Sequence, residues 1–266
     1  MIRYLLAIPG IALLFCLLLS PALAQTTPAT PPASPSTSAT PAPLSPEDLA
    51  KLYLIRKEYP AAEVVFRKLT QQQPKNAVYW NELGITLHNQ SELDPAMKCY
   101  ERSAKLDSHY ADPVNNIGTV WYERKKYSKA IRAYKRAIGI KDNFASFYMN
   151  LGYAYFADKK YEESIASFHK VLELDPQAFD QSNSRTGTIV QDRSIGADRG
   201  RFYFMLAKSF AQSGNLERCI IYLRKARDEG YKEMDAAKSD PAFAGVLKDP
   251  AIQEILAPTP AQTAQP

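Results

Sequence analysis

Cysteine and histidine are scarce in this chain, three of each in 266 residues. Their positions exclude more than their number does. No C-x-x-C, H-x-x-x-H or G-x-S-x-G run occurs, and the 11 glycines form no phosphate-cradling loop. The histidines, His88, His109 and His169, fall in three unlike surroundings. A metal centre, a disulfide framework, an activated nucleophile and a nucleotide cradle are therefore not expected, nor is any cofactor. The best candidate for a reaction site is the group Asp192, Arg193, Asp198 and Arg199, which reads more simply as an ion-pair network ordering a loop. The chain reads as a non-enzyme.

Long apolar runs are also lacking, with one exception at the N-terminus. Arg3 precedes an apolar stretch from Tyr4 to Leu19, and Ala22-Leu23-Ala24 offers a small-x-small cleavage site. Residues 1–24 are expected to be an export signal, which places the mature protein in the periplasm or outside the cell. Retention of the segment would make it an N-terminal anchor; its removal leaves no membrane span. Residues 25–45 are almost entirely Thr, Pro, Ala, Ser and Gln, a composition that cannot bury a core and is expected to form a disordered linker.

What the chain does have is a register. Gly84, Gly118 and Gly152 recur every 34 residues, each after an apolar neighbour, and Ala50 falls one period earlier. Twelve residues on, Ala62, Ala96, Ala130 and Ser164 recur, and four beyond them Phe66, Tyr100, Tyr134 and Phe168. Apolar spacings of 3, 4 and 7 place one stripe on each of two helices per period. Small residues let those helices approach, and the rings fill the space beside them. Pro74 and Pro176 stop second helices, while Ser108 and Asp142 serve as turn residues in the copies between.

One copy reads Tyr148-x-x-Leu151-Gly152-x-x-Tyr155, then Ser164-x-x-x-Phe168 and Pro176. This resembles the tetratricopeptide repeat, W-x2-L-G-x2-Y, A-x3-F, Pro. The resemblance implies an all-α, right-handed solenoid of about five helix pairs. Four copies occupy 46–178, with 77–110, 111–144 and 145–178 the clearest. An insertion covers 179–199, a fifth copy 200–233, capping helices 234–257 and a loose tail 258–266. Within the cap, Asp240-Pro241 and Asp249-Pro250 are expected to start helices over 242–248 and 251–257.

The basic groups Arg56-Lys57, Arg124-Lys125-Lys126 and Lys159-Lys160 recur at the turn inside a copy. They make no continuous stripe with stacking rings, so nucleic acid is not expected as a partner despite the net charge of +5. Cys99 and Cys219 lie on second helices three copies apart, beyond disulfide reach, and are expected to be buried free thiols.

In the family, the unburied face of the first helices lines a groove that takes extended peptides. That face carries Tyr122, Met149, Tyr153, Phe156 and Phe204, an apolar stretch where charge is usual, and Asn116 and Asn150 at one repeat position, a two-rung asparagine ladder interrupted by Glu82 and Met205. The resemblance implies a non-catalytic scaffold in the cell envelope that binds a protein or peptide segment through these seven residues. The alternative is a scaffold for polysaccharide export or assembly that binds glycan; Trp80 and Trp121 weaken it, since both take packing positions. The insertion is expected to fold over Tyr153 and Phe156 as a lid or a built-in occupant.

Overall fold

Five antiparallel helix pairs stand in sequence order. The computed structural model describes residues 44–179 and 195–257. The first pair is α1 (Pro46–Ile55) and α2 (Tyr59–Gln72), and the second α3 (Ala77–Asn89) and α4 (Leu93–Leu106). Next come α5 (Ala111–Glu123) with α6 (Tyr127–Ile140), α7 (Ala145–Ala157) with α8 (Tyr161–Leu174), and α9 (Arg199–Gln212) with α10 (Leu216–Asp228). A short helix, α11 (Pro250–Ile255), follows, and the described residues hold no strand. Each helix packs against its pair-mate and against the next pair, and the first helices also meet one another, α3 on α5 and α5 on α7. The result is an all-α solenoid with one wall made of first helices.

The small-and-ring register is what holds each pair. Ala62, Ala96, Ala130 and Ser164 are fully buried, as are Phe66, Tyr100, Tyr134 and Phe168. Each ring lies on the backbone of its copy's glycine in the second, third and fourth pairs: a Cβ at Gly84, Gly118 or Gly152 would stand 2.5 Å from a ring carbon. Ser164 adds a bond of its own, donating its hydroxyl to the Gly152 carbonyl at 2.8 Å. Burying each such ring stabilises the fold by about 1.5–3 kcal/mol.

The turn inside every copy is the same hydrogen-bonded motif. After α5, Lys126 N–H donates to the Trp121 carbonyl at 2.9 Å and Lys125 N–H to the Tyr122 carbonyl at 2.8 Å, the double closure of a Schellman turn. The residue at its left-handed position is Lys57, Ser91, Lys125 or Lys159 in the first four copies, with φ between 57° and 66°. Only the fifth copy uses glycine there, Gly214. The recurring lysines thus sit at a backbone position that strains any side chain, pointing to solvent because the left-handed turn aims them there.

The C-terminal cap departs from expectation in its first part. Pro241–Phe243 is a single 3-10 turn and not a helix over 242–248. Asp249 is extended (φ −67°, ψ 129°) where it caps α11 ahead of Pro250, so the chain must leave helical geometry before it. The chain crosses by i+3 turns, such as Val246 N–H to the Phe243 carbonyl. The cap still covers the last pair: Phe243, Ile252, Ile255 and Leu256 are buried in one cluster with α9 and α10. The expected signal (1–24), nearly all of the linker (25–45), the tail (258–266) and most of the insertion lie outside the described residues. Ser45, placed at the linker's end, is the N-cap of α1. The insertion's two ends are core: Phe179 packs edge-on against Phe168 and Phe210, and Ile195 is buried.

Candidate functional site: the wall of first helices

A chain of side-chain amides runs along this wall from α7 to α3. Asn150 Nδ2 donates to Asn115 Oδ1 at 3.1 Å, and Asn115 Nδ2 to Asn116 Oδ1 at 3.4 Å. Asn116 Nδ2 then donates to Asn81 Oδ1 at 3.0 Å, and Asn81 Nδ2 to the Tyr110 hydroxyl at 3.1 Å. All four asparagines are buried. The two bonds between copies join residues 35 apart, one position beyond the repeat, so each links the fifth place of one copy to the sixth of the next. The ladder expected from Asn116 and Asn150 alone is therefore longer, because Asn81 and Asn115 carry it past the gap left by Glu82. Burial in a low-dielectric wall makes such a relay costly to break, since every orphaned amide loses its solvation without replacement.

Over the relay lies a cleft of about 220 Å³, lined by Asn81, Glu82, Ile85, Tyr110, Asp112, Asn115, Asn116, Ser146 and Phe147. Two carboxylates face it. Burial pushes the Glu82 carboxyl above its ordinary range, against smaller opposing effects of Asn81 and Lys51. Burial does the same to Asp112, opposed by its own backbone N–H and by Lys141. The Tyr110 hydroxyl is also raised by burial. No lysine, arginine or histidine lines the cleft.

Most of the other residues expected at the groove lie in the packed interior. Tyr122 is buried with its ring 5.4 Å from Tyr127, and Phe156 is buried 5.7 Å from Tyr161, the first residue of the following helix in each case. Phe202 of α9 stacks on Tyr153 at 5.5 Å and meets Phe156 edge-on at 5.4 Å, so a ring from the fifth pair covers both. Met149 is buried in the same cluster. Phe204 is covered by the cap, with Tyr231 4.9 Å and Phe243 5.5 Å away. Of the seven, Asn116 lines the cleft and Tyr153 is half-exposed. Glu82, Asp112, Asn81 and Asn115 take outward positions on the first helices by sequence but are not among the seven expected site residues, and neither is Tyr110. Asn115 is legible as a rung through its one-position offset from Asn150.

Two of the histidines hold structural contacts, and His109 is exposed. His88 lies between the Tyr100 hydroxyl (Nδ1, 3.3 Å) and Glu123 (Nε2, 2.8 Å), tying the second copy to the third. His169 pairs with Glu173 on its own helix. Cys99 and Cys219 are free and buried, and burial pushes their thiols up to about 11 and about 12. Arg199 pairs with Glu229 at 3.3 Å, while Asp192 and Arg193 lie outside the described residues.

Sequence models of the tetratricopeptide repeat match residues 77–110, 145–177 and 200–226, and a further model described as TPR repeat matches 118–159. The chain belongs to the tetratricopeptide-repeat family. Its first pair, outside those ranges, repeats the packing of the others through Ala50, Ala62 and Phe66. Among solved structures, the chain is similar to MamA from Desulfovibrio magneticus RS-1, residues 41 to the end, with 16% identity, 73% of this chain and 96% of that chain covered, and a TM-score of 0.48. It is similar to TTC0263, a thermophilic TPR protein of Thermus thermophilus, with 15% identity, coverage of 73% and 94%, and a TM-score of 0.48. The first TPR of Spaghetti (RPAP3), bound to the HSP90 peptide SRMEEVD, shares 27% identity over 41% of this chain and 86% of that one, with a TM-score of 0.39. A search of curated proteins returned no match. Among the described residues of this repeat protein, no helix is long and apolar enough to cross a membrane, and no His/Cys/Asp/Glu group could hold a metal ion.

Proposed function

We propose that the chain is a non-catalytic scaffold that holds a protein segment along its wall of first helices, and that it works in the cell envelope. The observation that supports docking is the cleft over the asparagine relay, a polar recess on the wall of first helices. Asn116 is the sequence-identified residue in direct contact with it, and Asn150 acts through the relay by holding Asn115. Tyr122, Met149 and Phe156 contribute by fixing α5 and α7, which frame the recess, Phe204 holds the cap on the last pair, and Tyr153 is the ring with surface left to offer. The envelope assignment rests on the apolar run after Arg3 and on Ala22-Leu23-Ala24.

Photo-crosslinking in intact cells tests the docking reading. A benzophenone side chain at Ile85 or Ser146, both half-exposed in the cleft, is expected to capture a defined protein band, and one at Lys68, exposed on α2, is expected to capture none. Equal capture at all three positions, or none at any, removes the reading. Alkaline phosphatase fused after Ser45 is expected to be active in a bacterial host; an inactive fusion removes the envelope assignment.

A further inference from the structure

We infer, building on the docking reading above, that the guest segment presents an arginine or lysine side chain to the cleft between α3, α5 and α7. Glu82 enters from α3 and Asp112 from the first turn of α5, so two carboxylates from neighbouring copies face one recess. Neither takes part in an ion pair among the described residues. The nearby cations act from a distance: Lys51 is held by Glu47 at 2.6 Å, and Lys141 lies over the Phe144 ring. Carboxylates only accept hydrogen bonds when ionised, so the recess offers acceptors to a donor-rich head group.

Its other walls suit the rest of such a side chain. Ile85 is half-buried and apolar, fit to lie along an alkyl stem, and the Tyr110 ring is a half-buried face for a planar cation. A guest ending in a free carboxylate meets repulsion here, with no cation among the lining residues to offset it. The relay beneath fixes the distance between α3 and α5, because Asn116 and Asn81 bond across that boundary. The two carboxylates are thereby held before any guest arrives, which lowers the ordering cost of binding.

Titration of the full chain with N-acetyl-L-arginine methylamide, against the neutral near-isostere N-acetyl-L-citrulline methylamide, tests this directly. The side-chain amide resonances of Asn81, Asn115 and Asn116 report on the recess. The arginine probe is expected to shift them saturably, with the citrulline probe at least roughly fivefold weaker, a gap of about 1 kcal/mol. Glu82→Gln with Asp112→Asn is expected to level the two probes. Ser146→Lys, which tethers a cation at the rim, is expected to block the arginine probe without touching either carboxylate. Equal response to both probes, or unchanged arginine binding in both variants, overturns the proposal.

Selection of displayed random dodecapeptides on the wild-type chain and on the double variant separates this proposal from the docking reading. Basic peptides that lose binding to the double variant support the inference. Peptides that bind both proteins equally, without a basic residue in common, overturn it and leave docking standing. No peptide at all, with the arginine probe still discriminating, keeps the cation recess and overturns docking.

Discussion

Tyr134 lies against the bare backbone of Gly118, so close that a Cβ there would stand 2.5 Å from Tyr134 Cε1. Tyr134 is fully buried and donates toward Thr119 at 3.3 Å, so its ring has nowhere to retreat. Gly118→Ala is expected to cost about 1–3 kcal/mol or more by overpacking. Gly139, exposed on α6 with nothing within 4 Å of its would-be Cβ, is the control: Gly139→Ala is expected to stabilise by about 0.5–1 kcal/mol. Urea unfolding of the two variants checks the opposite signs.

Lys125 holds φ of 57° in the turn after α5. A left-handed residue other than glycine is strained by about 1–2 kcal/mol, offset in part by the greater entropy glycine loses on folding. Lys125→Gly and Lys57→Gly are each expected to raise the melting temperature, with a net gain of up to about 1 kcal/mol. The fifth copy already uses Gly214 at this place, so Gly214→Lys is expected to do the reverse. Differential scanning calorimetry of the three variants reads both directions.

Asn115 both accepts from Asn150 and donates to Asn116. Its truncation strips a partner from two buried amides, each loss costing about 1–3 kcal/mol. Asn115→Ala is therefore expected to be far more damaging than Asn89→Ala, where an exposed amide merely back-bonds to Ile85 on its own helix. Hydrogen exchange should show loosened protection at the α3–α5 and α5–α7 boundaries in the first variant alone.

Glu82 and Asp112 have carboxyls raised by burial above their usual 4.5 and 3.8. The folded chain thus binds these protons more tightly than the unfolded one. The stability their protons contribute is fully present below the unfolded values and is lost as pH rises through the raised folded values, so at neutral pH the fold carries two buried charges that a neutral amide would not. Glu82→Gln and Asp112→Asn are expected to raise the melting temperature at about pH 7, with the gain shrinking near pH 4. A gain that grows on acidification contradicts the assignment.

Cys99 and Cys219 combine burial with thiols raised to about 11 and about 12. Neither is expected to react with a disulfide reagent in the native protein at about pH 8, and both should react promptly in denaturant. Timed labelling with mass readout checks this.

Much of the fold was legible because its chemistry is local and repeated. Gly152 and Phe168 keep one spacing, and that spacing dictates how closely two neighbouring helices pack. The first half of the cap was not: Asp240 and Asp249 both cap the turns that follow them, but a cap signal says where a turn starts and not how far it runs, and the turn after Asp240 ends at Phe243. The groove was less legible still. Tyr122 and Phe156 sit on the outer face of a single helix by angle, but Tyr127 and Tyr161 at the start of the next helix fold back over them.

The five pairs follow from residue order alone, because a small residue and a ring at fixed separation leave two helices one way to close. Which outward side chains stay open depends on assembly of the whole stack. Phe202 and the cap cover Tyr153, Phe156 and Phe204, while Glu82 and Asp112, from helices of different copies, come to share one recess. Exposure on a solenoid is set by the neighbouring copy, and a helical wheel contains no neighbour.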